Sequence, residues 1–226
     1  MLDPAVMLDA VPRLLGGVSL TLQLTACVLI AGATLAVPIA LAHESSHSAL
    51  RRGARAYMLL FRGTPTLVQI FIVYYGLGQF EMVRLSPAWP VLREPFWCAV
   101  IALGLNSAAY TGRLLAGALQ SVPRGLIGAA QALGLSPGQV FRSIQLPLAL
   151  RLAVPAYGNE VILTLKATSL ASTITLMELM GTARVLVSDT FAPYEIFVTA
   201  GAVYLALTFA IARVFRQIER RMRLGT

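Results

Sequence analysis

Residues 14–42 read LLGGVSLTLQLTACVLIAGATLAVPIALA, a stretch without a single charged side chain. At a helical rise of about 1.5 Å per residue it is more than long enough to cross a hydrocarbon layer of about 30 Å. Asp3 and Asp9 precede it where a secretory leader would carry basic residues, and it exceeds a signal-peptide core in length, so it is expected to stay attached. The rest of the chain agrees with that reading. Hydrophobic residues make up 57% of the sequence and charged ones only 12%, against roughly 25% in an ordinary globular protein. With a mean hydropathy of +0.74, the solvent for this fold is lipid.

Four further segments are apolar enough to span. Gly63–Phe80 is uncharged and continues backwards through 56–61 with only Arg62 between, giving a second span over 56–80. The third covers 95–117 and the last 193–213. Between them 151–176 opens on Arg151 and from Leu152 onward is interrupted only by Glu160 and Lys166, and it reads as a fourth span with functional cargo. The expectation is one all-α integral membrane domain over 1–226, with five transmembrane helices.

Five spans place the termini on opposite sides, and the arginines choose the direction. With the N-terminus outside, Arg51, Arg52, Arg55, Arg124, Arg142, Arg151 and the tail arginines 213, 216, 220, 221 and 223 all face the cytoplasm. The outer side keeps Arg13, Arg84, Arg93 and Arg184 beside six acidic residues, and Trp89 and Trp97 flank the start of span three as interfacial aromatics do. The formal charge of +8 is therefore a topology signal and not a nucleic-acid footprint. Cys27 and Cys98 both fall in apolar runs, where packing and not a disulfide is expected.

The one long polar loop, 120–150, carries its own punctuation. Pro123 is placed to open a helix as its first residue, and Gly134 to end it in the left-handed conformation. Ser136, Pro137 and Gln139 then read as N-cap, first helical residue and capping-box partner, with Pro147 limiting the second helix. Two short helices at an angle result. Gly128, Ala129, Ala130 and Ala132 make the first one smooth, suited either to a groove on a partner or to packing on its own spans.

The spacing of Ala129-Ala130, Gly134, Ile144, Leu146 and Pro147 resembles the EAA loop of bacterial ABC-importer permeases. Around it, Arg62-Gly63-Thr64-Pro65 with Leu67-Val68-Gln69, Ala109-Tyr110, Gln120 to Gly125, Asn159-Glu160 with Lys166, and Thr168-Ser169-Leu170 are similar to the polar amino-acid subfamily. Thr175 to Gly181 most resembles the M-type subunits of histidine, octopine and nopaline permeases. The resemblance covers nearly the whole chain. It implies a type I ABC-importer fold in the bacterial inner membrane, a second permease subunit, two cytoplasmic ATPases that bind ATP and Mg, and a periplasmic solute-binding protein. It also implies that Gly128, Ala129, Ala130, Gly134, Ile144, Leu146 and Pro147 form the ATPase-coupling element. Three positions depart from the pattern: Gly128 stands where the loop glutamate would be, and Arg113 and Ala116 replace a Glu and an Arg. Those losses suggest one specialised half of a heterodimer.

The polar residues within the spans are the candidates for a substrate path. Arg62 is close enough to Arg55 to snorkel to the interface; alternatively Arg62 to Pro65, with Thr64, breaks the helix beside the path, since Pro65 removes a backbone donor. Glu160 lies about 14 Å beyond Arg151 along a helix, near the midplane, where a charge normally faces a partner or a wet cavity. Six residues turn a helix by about 600°, so Glu160 and Lys166 do not share a face. Asn159, Glu160, Lys166, Thr168 and Ser169 are taken as one cluster, either lining the path or gluing subunits together.

No phosphate-cradling Gly-x-x-x-x-Gly-Lys-Ser/Thr motif occurs, so the chain is expected to be no enzyme and to hold no cofactor of its own. His43 and His47 follow span one at a juxtamembrane position, and no zinc protease is expected there. The reading is the membrane subunit of an ATP-driven importer for polar or cationic amino acids or opine-like derivatives. A self-sufficient secondary transporter or channel is the alternative, weakened by the lack of an internal repeat. An intramembrane enzyme is third, lacking a nucleophile-base pair.

Overall fold

The computed structural model describes residues 3–222; Arg223 of the basic tail lies outside the described residues. Among the described residues every regular element is helical. Helix α1 spans Pro4–Glu44, begins on an N-cap in which Asp3 Oδ1 accepts from the Ala5 amide at 2.9 Å, and is about 62 Å long. It starts ten residues before the uncharged run. After a short turn come α2 (Ser48–Gly63) and α3 (Thr66–Phe71), the latter continuing as a π turn over Ile72–Gly76 and a 3₁₀ turn over Leu77–Gln79. Two four-residue helices, α4 (Glu81–Arg84) and α5 (Trp89–Leu92), lead into α6 (Pro95–Gln120).

The second apolar segment is not one helix. Its halves are bent by 102° at Thr64-Pro65, which leaves four helices long and apolar enough to cross a membrane and a bent pair that makes a fifth if it crosses as one span. Pro65 has no N–H to offer the Phe61 carbonyl, and it forces Thr64 into extended backbone at φ −112°, ψ 147°. The freed groups are not left bare. Gln69 Nε2 donates to Phe61 O at 2.8 Å and to Thr64 Oγ1 at 2.7 Å, and Asn106 Nδ2 donates to Phe61 O and to Gln69 Oε1, each at 3.0 Å. In hydrocarbon an unsatisfied carbonyl costs several kcal/mol, so these two side chains are what make the bend tolerable.

Next come α7 (Arg124–Ala132), α8 (Pro137–Val140), a π turn over Phe141–Gln145, α9 (Leu146–Ala167) and a 3₁₀ segment over Thr168–Ile174. Two expectations are corrected here. Pro123 is the N-cap of α7 and not its first helical residue. Pro147 does not limit the second loop helix, which runs on into span four, so helix extends from Pro137 to Ile174. The π turn is the reason: the Leu146 amide donates to Phe141 O, five residues back, and the widened turn relieves the clash a proline ring makes with the carbonyl four residues before it. The capping box at Ser136 and Gln139 is formed, and Gly134 sits at φ +86°.

Helix α10 (Leu179–Thr190) and the 30-residue α11 (Pro193–Met222) complete the fold. Helices α1 and α6 run side by side in the same direction, Gly32 lying against Ser107 and Gly112 against Ile39. Lipid tails are as apolar as leucine, so small residues that admit close backbone contact, together with interhelical hydrogen bonds, hold the bundle together. The densest such knot surrounds Glu178. Fully buried, it caps α10 by accepting from the Met180 and Gly181 amides at 3.0 and 2.9 Å, while Tyr204 of α11 donates to it at 2.9 Å. Thr21 of α1 accepts from the Leu179 amide at 3.0 Å, tying three helices together. Both cysteines are free thiols.

Candidate functional site

A cavity of about 210 Å³ opens between α3, α6 and α9, with Thr66, Asn106, Ser107, Tyr110, Glu160 and Thr164 as its polar lining. Glu160 is buried on α9, and its Oε1 accepts from Ser107 Oγ of α6 at 3.3 Å. Among the described residues no basic side chain pairs with it. A buried carboxylate with one weak donor attracts a cation more strongly than an exposed one would, because burial weakens screening.

Helix α6 continues the polar line. Ser107 and Tyr110 are neighbours on its surface, as are Tyr110 and Arg113, each pair three residues apart. The Arg62 guanidinium lies over the Tyr110 ring, 5.1 Å from its centroid, a cation–π geometry that holds it at the bend. Beyond it, a second hollow is lined by His43, Arg55, Met58, Arg62, Arg113 and Gln120. Arg113 Nη1 lies 3.3 Å from His43 Nε2; a guanidinium can only donate, so Nε2 accepts and Nδ1–H donates to Glu44 at 2.7 Å. Gln120 donates to the same carboxylate at 2.8 Å.

The expected cluster on span four is only partly brought together. Glu160 enters the cavity. Asn159 is exposed beside it, and Lys166 is exposed with no ion pair among the described residues. Thr168 and Ser169 are spent on their own backbone: the hydroxyls of Thr168, Ser169, Ser172 and Thr173 donate to the carbonyls three residues back at 2.6 to 2.8 Å. That ladder matches the i−3 geometry of the 3₁₀ segment it decorates. Thr64 belongs to the sealed bend, donating to Leu60 O at 2.7 Å. Asn106 and Ser107 were not singled out by sequence reading; the signal for them was an adjacent amide and hydroxyl inside an otherwise apolar run.

The loop motif folds as a protruding helix. Helix α7 ends in a Schellman motif, the Gly134 amide donating to Gln131 O and the Leu135 amide to Ala130 O. Gly128, Ala129 and Gly134 are exposed, Ile144 and Leu146 half-buried and Pro147 exposed. Ala130 is buried, so it supports the loop from inside and belongs to no outward face. Leu133, missed as a candidate, is 81% exposed at the end of the helix.

Known proteins resemble this chain in sequence and fold. The family described as binding-protein-dependent transport system inner membrane component matches residues 29–224. The octopine transport system permease protein OccM of Rhizobium radiobacter is 49% identical over 217 residues, covering 96% of this chain and 89% of its own. The nopaline transport system permease protein NocM of Agrobacterium fabrum is 44% identical over 219 residues, covering 96% and 91%. The arginine ABC transporter permease protein ArtM of Escherichia coli K12 is 42% identical over 216 residues, covering 95% and 96%. A solved structure, the crystal structure of an amino acid ABC transporter with histidines, superposes with a TM-score of 0.87 at 31% identity, over 98% of this chain and 99% of that one. The chain belongs to the binding-protein-dependent transport system inner membrane components. It is a membrane protein of the permease type, similar in sequence to the permease subunits of octopine, nopaline and arginine transport systems.

Proposed function

We propose that this chain is the membrane-spanning subunit of an ATP-driven importer that carries polar or cationic amino acids, or opine-like derivatives, from a periplasmic binding protein to the cytoplasm. The observation that carries the reading is Glu160, a buried carboxylate that faces a cavity and has no cationic partner among the described residues, as a path for a cationic solute requires. The named activities of the permease relatives support the substrate class. A second permease subunit would complete the path, and two ATPases holding ATP and Mg would dock on α7. The chain itself is non-catalytic in this scheme. It needs only to present the path with different affinity in two states. The deciding experiment is uptake into proteoliposomes. The chain with its partner permease, ATPases and binding protein should accumulate labelled L-arginine or octopine when ATP is inside, and the chain alone should not. Uptake by the chain alone on a proton or sodium gradient would overturn it.

The direction of insertion is part of the proposal. Asp3 and Arg13 of α1 meet Glu195 and Asp189 at one end of the bundle, while His43 and Glu44 meet Arg113 and Gln120 at the other. The arginines of α2, α7, the π turn after α8, and the C-terminal end of α11 belong to that second end, which supports an outside N-terminus. A cysteine at position 3 should react with an impermeant reagent on intact spheroplasts and one at position 222 should not. The opposite pattern refutes the orientation.

For the coupling helix, the exposed positions are the informative ones. Ala129→Asp or Leu133→Asp should reduce ATPase pull-down and uptake together, by about tenfold or more, with membrane insertion unchanged. Retention of both functions in the two variants would show that this face docks nothing. Ala130→Asp is the wrong probe, since it would put a carboxylate into the loop's own interior.

A further inference from the structure

Three guanidiniums, those of Arg55, Arg62 and Arg113, converge on the second hollow, and among the described residues none has an acidic partner. The nearest carboxylate on that side, Glu44, is already held by His43 and Gln120. Tyr110 is shared: its side chain lines the Glu160 cavity, and its ring carries Arg62 at the rim of the second hollow. Along α6, Ser107 touches the carboxylate and Arg113, six residues or about 9 Å on, belongs to the arginine group. The carboxylate cavity and the arginine-lined hollow thus adjoin along α6, with Tyr110 common to both.

We propose that Arg62 and Arg113, assisted by Arg55, form a carboxylate-binding station that follows the Glu160 cavity on the solute path. This rests on the function proposed above and deepens it: the arginines hold the carboxylate that those solutes share, while Glu160 faces their cationic group. Guanidiniums suit that task because their planar donors match the two oxygens of a carboxylate, and Tyr110 holds one of them in place without neutralising it. Station and cavity together orient the solute with its cationic end at Glu160 and its acid end toward the arginines.

The test is equilibrium binding of labelled L-arginine, octopine and agmatine to the complete transporter in phosphatidylcholine nanodiscs without the binding protein. Agmatine is arginine's cation without its carboxylate. The wild-type complex should bind at least one carboxylated probe about tenfold or more tightly than agmatine. Arg62→Gln and Arg113→Gln should each erode that preference while agmatine binding stays unchanged, which also reports that the variants are folded. Glu160→Gln should weaken all probes. Equal affinity for agmatine and the carboxylated probes in the wild type, or full preference in the double variant R62Q/R113Q, overturns the station. A group that merely holds lipid phosphate would give that equal affinity, with phosphatidylglycerol retained by the wild type and lost by the double variant. Binding of no probe, or binding indifferent to Glu160→Gln, refutes the parent reading together with the station.

Discussion

Replacing Gly181 by alanine should cost about 3 kcal/mol or more in stability, and little of the protein should accumulate in the membrane. Gly181 stands in the first turn of α10, with its amide bonded to Glu178 Oε1 at 2.9 Å. A Cβ there would lie far inside contact distance of the Leu176 carbonyl oxygen. That oxygen cannot simply retreat. Thr175 before it is held at φ 71°, and the Leu176 amide is bonded to Ala171 O at 3.3 Å. Moving Gly181 instead pulls on Glu178 and through it on Tyr204 and α11. Gly128→Ala is the control, because a Cβ there meets nothing within 4 Å and removing a helical glycine should add about 0.5–1 kcal/mol. Thermal unfolding of the two purified variants in the same detergent decides it. A Gly181→Ala midpoint equal to wild type would mean that the knot at Glu178 yields easily.

Glu160→Gln should lower uptake by about 100-fold while assembly with the ATPases stays normal. The substitution keeps the shape, and an amide oxygen can still accept from Ser107, so the local fold has no reason to change. What is lost is the negative charge that the proposed path uses to attract a cation. Lys166→Gln, on the exposed side of α9, should change uptake by no more than about twofold, since that side chain reaches neither the cavity nor an acidic partner among the described residues. Uptake measured on membranes matched for assembled complex separates the two. Full activity in Glu160→Gln would reduce the carboxylate to packing.

Different residues were legible to different degrees. The membrane character and the helices were readable because lipid permits little else, and uncharged runs such as 14–42 report themselves directly. The loop was readable at Gly134 and at Ser136 to Gln139, where local backbone chemistry decides the structure. Glu160 stood out because a charge at that depth is costly. The failures were tertiary. Nothing local says that Ala130 faces inward while Ala129 faces out, since both are small and adjacent. Pro147 has the local character of a stop, and only a π turn five residues long removes the obstacle. Thr168 and Ser169 looked like part of a polar groove because their hydroxyl counts are visible in sequence and their partners are not. Gln69 was visible only as part of the family resemblance and Asn106 not at all, because their value lies in the Phe61 carbonyl that Pro65 leaves without a donor, and only the fold brings both amides to it.

The sealed bend also bears on how the chain is made. The Phe61 carbonyl that Pro65 abandons is reached first by Gln69, eight residues later in the same segment, and only afterwards by Asn106. A ribosome delivers Gln69 almost at once, whereas Asn106 emerges after the turn and half of the next helix have been synthesised. The Phe61 carbonyl therefore has a donor within its own segment before α6 is made. Asn106 then acts as a late clasp, joining α6 to a bend that already has one donor.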